Sequence, residues 1–344
     1  MKIETKEIGK SNKEITVEME TEKFQKYLEQ AAAALSKTHS VKGFRPGNAP
    51  LHVIEETVGT EALYREAAIG AIEATYTDVL EAEKIEVIGE PQFDILKIAK
   101  GNLFVYKATV TVMPEITLPD YRALAQSVNK EKGEEIAVSE AEVTQTLEWL
   151  EKSRRPKTEE GKEESPTVPI DDAFAKSLGS FETLEDVKKN IRDGLTQEKE
   201  LQNKEAKRSK LIKAISEKVK LDIPEILLTR QMDELKQEFE ANLSRMNMTR
   251  EDYLKGSKKS EKDIEKEFEA IAREKVQVGL VLREIARKEN ISVTEEEVTE
   301  EANKFLGRFE SAEEAGHTID PHRLRAYTKG VLENEKVFQL LETL

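Results

Sequence analysis

Four histidines, His39, His52, His317 and His322, are the side chains of this sequence best suited to hold a metal or move a proton near neutral pH. His317 and His322 flank Asp320, but a metal centre needs three or four donors, and no further cluster accompanies them. Cysteine is absent, which removes disulfides, thiolate metal ligands, iron–sulfur clusters and cysteine nucleophiles together. With 69 Asp and Glu in the chain, acidic pairs occur everywhere and none marks acid–base catalysis. No G-x-x-x-x-G-K-[ST] phosphate loop, G-x-G-x-x-G or G-x-S-x-G is present. The sequence therefore predicts no enzyme of familiar type, no metal and no cofactor.

Charge distribution does single out one place. Residues 30–54 contain no Asp or Glu, and they carry Lys37, Lys42 and Arg45, with Phe44 beside Arg45. Lys and Arg meet phosphates or acidic side chains, and an exposed Phe adds an apolar or stacking contact. Gly43 and Gly47 allow tight turns; Pro46 and Pro50 stiffen the segment and lower the entropy lost on docking. This pattern suits a docking loop. It also suits an ordinary helix–helix connection beside a chance gap in the acids, and charge alone leaves both readings open.

A second pattern is apolar. Leu227, Leu228, Met232, Leu235, Phe239, Leu243, Met246 and Met248 follow one another at helical spacing, and three of the six methionines are among them. Methionine is unbranched and polarizable, as a surface that accepts varied partners requires. The plain alternative is a helix packing its apolar face on a neighbour. Met246 and Met248 cannot both face one packed side, since residues two apart on a helix point well away from each other. The group Val331, Leu332, Val337, Phe338, Leu340 and Leu341 reads as core.

The elements that position these residues follow from composition and periodicity. The chain has 344 residues, 36% of them charged, only 6% aromatic, and a net charge of −15. Many Glu and Lys with few Gly and Pro favour helices with a large solvated surface. Such an acidic chain repels DNA and anionic membranes, so any nucleic-acid contact must come from a local basic patch. Residues 1–20 are no signal peptide, and no apolar run reaches the roughly 20 residues of a membrane span. A soluble, cytoplasmic protein is expected.

Residues 1–20 alternate as a β-hairpin turning at 9–12, and Thr21 reads as the cap of a helix to Ser36. A second helical stretch covers 51–83, broken at Gly59 with Thr60 as a new cap; strands follow near 85–88, 93–98 and 103–113. An extended piece then leads to the capping-box spacing of Ser139 and Glu142 and a helix carrying Val143, Leu147 and Leu150. Residues 151–169, with Val168 their only apolar side chain, read as a linker. Beyond Thr183 the chain reads as helices at 183–221, 224–245, 260–289, 294–309 and 331–343. Pro224 suits an N1 position, and Ser260 and Thr294 suit caps. The first long helix is polar between Thr196 and Lys210, as in a segment that projects or bridges.

The segment Gly43-Phe44-Arg45-Pro46-Gly47-Asn48-Ala49-Pro50 resembles the G-F-R-x-G-x-x-P signature of bacterial trigger factor, a family of ribosome-associated chaperones. Asp171-Asp172-Ala173-Phe174-Ala175-Lys176, followed by Thr183-Leu184-Glu185-Asp186-Val187, resembles the opening of that family's C-terminal domain, and residues 289–298 resemble another recurrent stretch. The resemblance implies an α+β fold class: a small N-terminal α+β ribosome-docking domain at 1–113, and an elongated, mostly all-α domain with helical arms at 170–344 that cradles substrate. Between them, 114–150 would join the helical body, and 151–169 would stand where relatives carry an FKBP-like prolyl isomerase module. Nineteen residues with one apolar side chain cannot fold as that module, so its activity is not carried over.

The implied function is ATP-independent holding of nascent or unfolded polypeptides at the ribosomal exit site, against aggregation and premature folding. The implied partners are the large subunit at the exit tunnel, through a ribosomal protein and rRNA, and the emerging chains; a homodimer away from the ribosome is compatible with this. Ribosome contact would fall to Lys42, Gly43, Phe44, Arg45, Pro46, Gly47 and Pro50, and substrate contact to Leu228, Met232, Leu235, Phe239, Leu243, Met246 and Met248. Asn48 stands where many relatives carry Lys, one positive charge fewer. The competing reading is a helical scaffold or adaptor whose Phe44 loop meets one specific partner.

Overall fold

Alternation along two strands builds the sheet. In β2 (Asn12–Met19), Ile15, Val17 and Met19 are buried, and in β4 (Phe104–Thr111), so are Phe104, Tyr106, Ala108 and Val110. Antiparallel pairing sets Ile15 opposite Ala108, Val17 opposite Tyr106 and Met19 opposite Phe104, so all seven share one face. With β1 (Lys2–Glu7) and β3 (Gln92–Lys97) outside them, the strands form an antiparallel sheet in the order β1-β2-β4-β3. The computed structural model describes residues 1–9, 11–39, 41, 43–131, 136–154, 168–307 and 320–344.

Helices α1 (Thr21–Thr38), α2 (Leu51–Val58) and α3 (Thr60–Glu83) supply the other half of this core. Phe24 stacks on Phe104 with ring centroids 4.6 Å apart, and the Tyr106 hydroxyl lies 3.1 Å from Oγ1 of the buried Thr75. A hydroxyl carried into an apolar core is tolerated because it is paired there.

Several expected boundaries shift. The strand at 85–88 reduces to a single bridge, Val87 with Val112, because Gly89 turns the chain at φ +82 and Pro91 can donate no ladder hydrogen bond. Thr21 and Thr60 are first helical residues rather than caps. Glu20, extended at φ −63 and ψ 147, precedes α1, and Gly59 at φ +88 precedes α3, leaving Thr60 Oγ1 to donate to Glu55 Oε1 at 3.2 Å.

The helical remainder is α4 (Tyr121–Asn129), α5 (Glu140–Arg154), α6 (Asp172–Ser177), α7 (Leu184–Ser216), α8 (Glu225–Arg245), α9 (Arg250–Ser257), α10 (Glu261–Lys288), α11 (Glu295–Leu306) and α12 (Pro321–Thr343). Reciprocal caps open four of them: Ser139 with Glu142, Thr183 with Asp186, Ser260 with Asp263, and Thr294 with Glu297. Pro224 is the N-cap of α8 rather than its first residue.

Three helices depart from expectation by existing at all. α4 occupies part of the piece read as extended, and its Tyr121, Leu124, Ala125 and Val128 have helical spacing behind an Asp120 cap. α6 and α9 are short, each opened by a side-chain cap, Asp171 and Thr249. α12 begins at Pro321 rather than 331, with Asp320 capping and proline in the first turn.

By contact, Met1–Thr117 and Lys220–Gly279 form one unit, and Leu118–Val219 and Leu280–Leu344 a second. Within the second, α4 packs on α7 and α12, and the polar middle of α7 is held by charge. Arg208 donates to Glu335 and to Glu342 of α12 at 2.6 Å each, and its guanidinium lies 5.1 Å from the Phe338 ring centre. Within the first, Phe239 of α8 meets Tyr253 of α9 and Phe268 of α10 edge-on, at 4.9 and 5.6 Å.

Candidate docking loop and apolar arm

The acid-free window folds as the end of α1, a tight loop and the start of α2. Two local hydrogen bonds shape its turns: Phe44 N–H donates to Val41 O at 3.1 Å, and Asn48 N–H to Arg45 O at 3.0 Å. Gly43 and Gly47 sit at φ +90 and +89, where a side chain would be strained. The far side of the loop is tied to α1. Gly47 N–H lies 3.2 Å from the carbonyl of Ser36 and 3.0 Å from its Oγ, and Ala49 N–H donates to the same Oγ at 3.3 Å.

Ser36 is 2% exposed and Ala49 is buried, so these bonds lie at the edge of the core. Pro50 caps α2, its carbonyl accepting from Val53 and Ile54 N–H.

Of the expected ribosome contacts, Gly43, Phe44, Arg45, Pro46 and Pro50 are exposed, Phe44 to 42%, and Gly47 is half-buried. Lys42 lies outside the described residues. Lys37, in the last turn of α1, is exposed, and its side chain runs past Gly47: a Cβ there would lie 3.4 Å from Lys37 Cγ and Cε. The first acid after the window, Glu55, is occupied by Lys100 at 3.2 Å. Phe44 and Arg45 are both exposed on a backbone pinned on one side, a surface that can bind. Among the described residues no group of three His, Asp or Glu could hold a metal ion. His317 lies outside the described residues, and His322 is exposed in the first turn of α12.

Ser36 is the residue that sequence reasoning missed. The available signal was its position: it follows Ala32 by one helical turn on the stripe that buries Phe24, Leu28 and Ala32, where a hydroxyl needs a partner.

The expected client face divides. Leu235 and Leu243 are buried and so are core residues of the arm, being two turns apart on the packed stripe. Phe239 is half-buried within the aromatic cluster; Leu228, Met232 and Met248 are also half-buried. Met246, the C-terminal cap of α8, is 65% exposed. Ile226 and Ile271, neither of them expected, are also exposed apolar side chains of this unit. No described helix is long and apolar enough to cross a membrane. In the C-terminal group Val337 and Leu341 are buried, whereas Val331 is exposed.

Two profiles of one family match the chain: bacterial trigger factor protein (TF) over residues 1–150, and bacterial trigger factor protein (TF) C-terminus over residues 183–342. Trigger factor of Caldicellulosiruptor bescii is 28% identical, over an alignment covering 90% of this chain and 88% of the relative. That of Moorella thermoacetica is 27% identical over 90% of this chain and 87% of its own length. The first alignment runs to 390 positions against 344 residues here, so the relative carries residues without counterpart in this chain. A solved trigger factor chaperone, to which promiscuous substrate recognition in folding and assembly is ascribed, superposes with a TM-score of 0.55 at 18% identity. That match covers 100% of this chain and 99% of the other, and speaks to the fold.

Proposed function

This chain belongs to the bacterial trigger factor family, a family of ribosome-associated chaperones, and on that premise we propose that it docks through its 43–46 loop and holds unfolded segments on the α8 arm. The observation that carries the docking assignment is the exposed Phe44–Arg45 pair on a backbone anchored to α1, inside a window free of acids. Lys42, Gly43, Phe44, Arg45, Pro46, Gly47 and Pro50 form the contact, which meets a ribosomal protein and neighbouring rRNA at the exit tunnel. The setting is the bacterial cytoplasm.

Holding falls to Leu228, Met232, Met246 and Met248, with Leu235, Phe239 and Leu243 supporting them from within the arm. No nucleotide drives release, so binding is weak enough to reverse unaided. Micromolar affinity, about −8 kcal/mol, needs only a few apolar client side chains at about 1.5–3 kcal/mol each, less ordering costs. The domain limits we propose are 1–113 for docking, 114–150 as the joining segment, 151–169 as a linker in place of the isomerase module, and 170–344 for the chaperone body. Residues 151–182, which fall outside both family profiles, are all that stands between the two matched regions.

Co-sedimentation with ribosomes tests the docking assignment. Replacing Phe44, Arg45 and Pro46 by Ala should abolish it while the helical circular dichroism stays unchanged. Wild-type binding should weaken with salt at a log–log slope of about −2 to −3, since few cations displace counterions. Full binding by the triple variant would refute the assignment. On a short X-Pro peptide the protein should leave relaxation at its uncatalysed tens to hundreds of seconds.

A further inference from the structure

We infer that the last turn of α1 is a second wall of the docking site, with Ser36 positioning the loop and Lys37 contacting a backbone phosphate of the ribosomal RNA. The inference rests on the docking assignment above.

Three acceptor contacts converge from Ser36 on the loop. Its carbonyl and its Oγ share the Gly47 N–H, at 3.2 and 3.0 Å, and the Oγ also takes the Ala49 N–H at 3.3 Å. At 2% exposure water does not replace that hydroxyl, so Ser36→Ala would leave the Ala49 amide unpaired at the edge of the core. Ser36 thus fixes the distal strand of the loop while Phe44 and Arg45 stay exposed, and the entropy of ordering the loop is met in folding rather than on docking.

Lys37 follows in sequence, and its Cγ and Cε run beside Gly47, each 3.4 Å from where a Cβ would stand. Gly47 is required by its φ of +89, and the Lys37 stem lies at van der Waals distance beside it. An exposed ammonium is thereby carried alongside the loop, and a lysine acts on a phosphate as a point charge, without need of a fork geometry.

Two kinds of residue leave different marks on a salt titration. A phosphate-contacting cation sets the slope of log affinity against log salt; a positioning residue shifts the line without tilting it. Ribosome affinity of the full chain should therefore be measured across salt for Ser36→Ala, Ser36→Thr and Lys37→Ala. Ser36→Ala should weaken binding about tenfold at every salt concentration with an unchanged slope. Ser36→Thr, which keeps the hydroxyl, should recover most of that loss, and Lys37→Ala should reduce the slope by about one.

In the free protein, amide exchange at Gly47 and Ala49 should quicken in Ser36→Ala and not in Lys37→Ala, which reads positioning without the ribosome. A Ser36→Ala protein that binds within twofold of wild type, or whose Gly47 and Ala49 amides exchange unchanged, overturns the positioning role. An unchanged slope in Lys37→Ala overturns the phosphate contact. Either result beside a non-binding Phe44/Arg45/Pro46 variant leaves the docking loop standing, whereas full binding by that triple variant removes the docking assignment itself. If Ser36→Ala does not fold, Ser36→Thr and Lys37→Ala carry the test: a threonine variant that folds yet fails to bind refutes the role of the hydroxyl.

Discussion

Around the sheet, Phe104 meets Phe24 ring to ring and Tyr106 passes its hydroxyl to Thr75, while Glu14, Lys107 and Asp94 pair on the half-exposed opposite face. Along α7 and α12 the order is reversed: Arg208 with Glu335 and Glu342 lies against the ring of Phe338, and Lys336 reaches both Glu297 and the carbonyl of Ser292. Arg122 and Tyr121 likewise fasten α4 to Glu289, just beyond α10. One region is held by apolar shape with charge outside; the other places charge between its helices. In a chain of which 36% of the residues are charged, a helical body has little apolar surface to spend on its own packing. Ion pairs across its helices give that body its register.

The contrast can be broken most forcefully at Phe104. Phe104→Ala should cost about 3–5 kcal/mol and lower the melting transition of the sheet unit, as followed by near-ultraviolet dichroism, while α7 and α12 keep their amide protection. Loss of protection in both regions together would erase the distinction. Arg208→Ala should have the opposite address: about 1–3 kcal/mol from leaving Glu335 and Glu342 without their shared partner, read as faster exchange in α7 and α12 with β2 and β4 unaffected.

Acid sharpens the same comparison. Hydrogen bonds from Arg208 hold Glu335 at about 2, and those from Lys199 and then Ser139 hold Glu142 at about 2, both below the ordinary 4.5. A carboxylate depressed in the folded state contributes stability that is full above its unfolded value and lost as pH falls through its folded value. Asp186, Asp252, Asp263, Glu289 and Glu297 are depressed too, each first by a side-chain hydrogen bond. Melting temperature followed at 222 nm, where helices dominate, should therefore fall between about pH 5 and pH 2, and Arg208→Ala should blunt that fall. Equal acid sensitivity of wild type and variant would count against the charge-held body.

The smallest effect is expected at the C-terminal end of α8. Met246→Ser should change stability by less than about 0.5 kcal/mol and lower affinity for an unfolded client only a few-fold, whereas Leu243→Ser should destabilise the arm. Substituting Phe239 tests the aromatic cluster, not client contact.

What the sequence disclosed follows the same division. The period-two alternation of Ile15, Val17 and Met19 and the helical stripe of Phe24, Leu28 and Ala31 announced the sheet unit, because apolar burial imprints its period on neighbouring residues. Caps such as Thr183 and Thr294 were legible for the same reason: partner and cap lie within one turn. Arg208 and Glu335 are 127 residues apart, and no local pattern links them. Ser36 escaped because a serine beside a run of alanines resembles filler until its partners at Gly47 and Ala49 are seen. At the proposed docking loop, the acid-free window gave the place, and the structure adds the exposure of Phe44 and the burial of Ala49.

The pairing of β2 with β4 has a consequence in time. Asn12 and Thr111, which meet across that ladder, are 99 residues apart. At about 5–20 residues per second, a translating ribosome needs roughly 5–20 s to deliver the second strand after the first. Through that interval Ile15, Val17 and Met19 have β1 beside them but not β4, and α3 is delivered only in its later part. The anchor of Gly47 and Ala49 to Ser36 spans only a short stretch and can close early, but the sheet beneath it cannot. Each new copy of this chaperone thus spends its first seconds with its sheet incomplete.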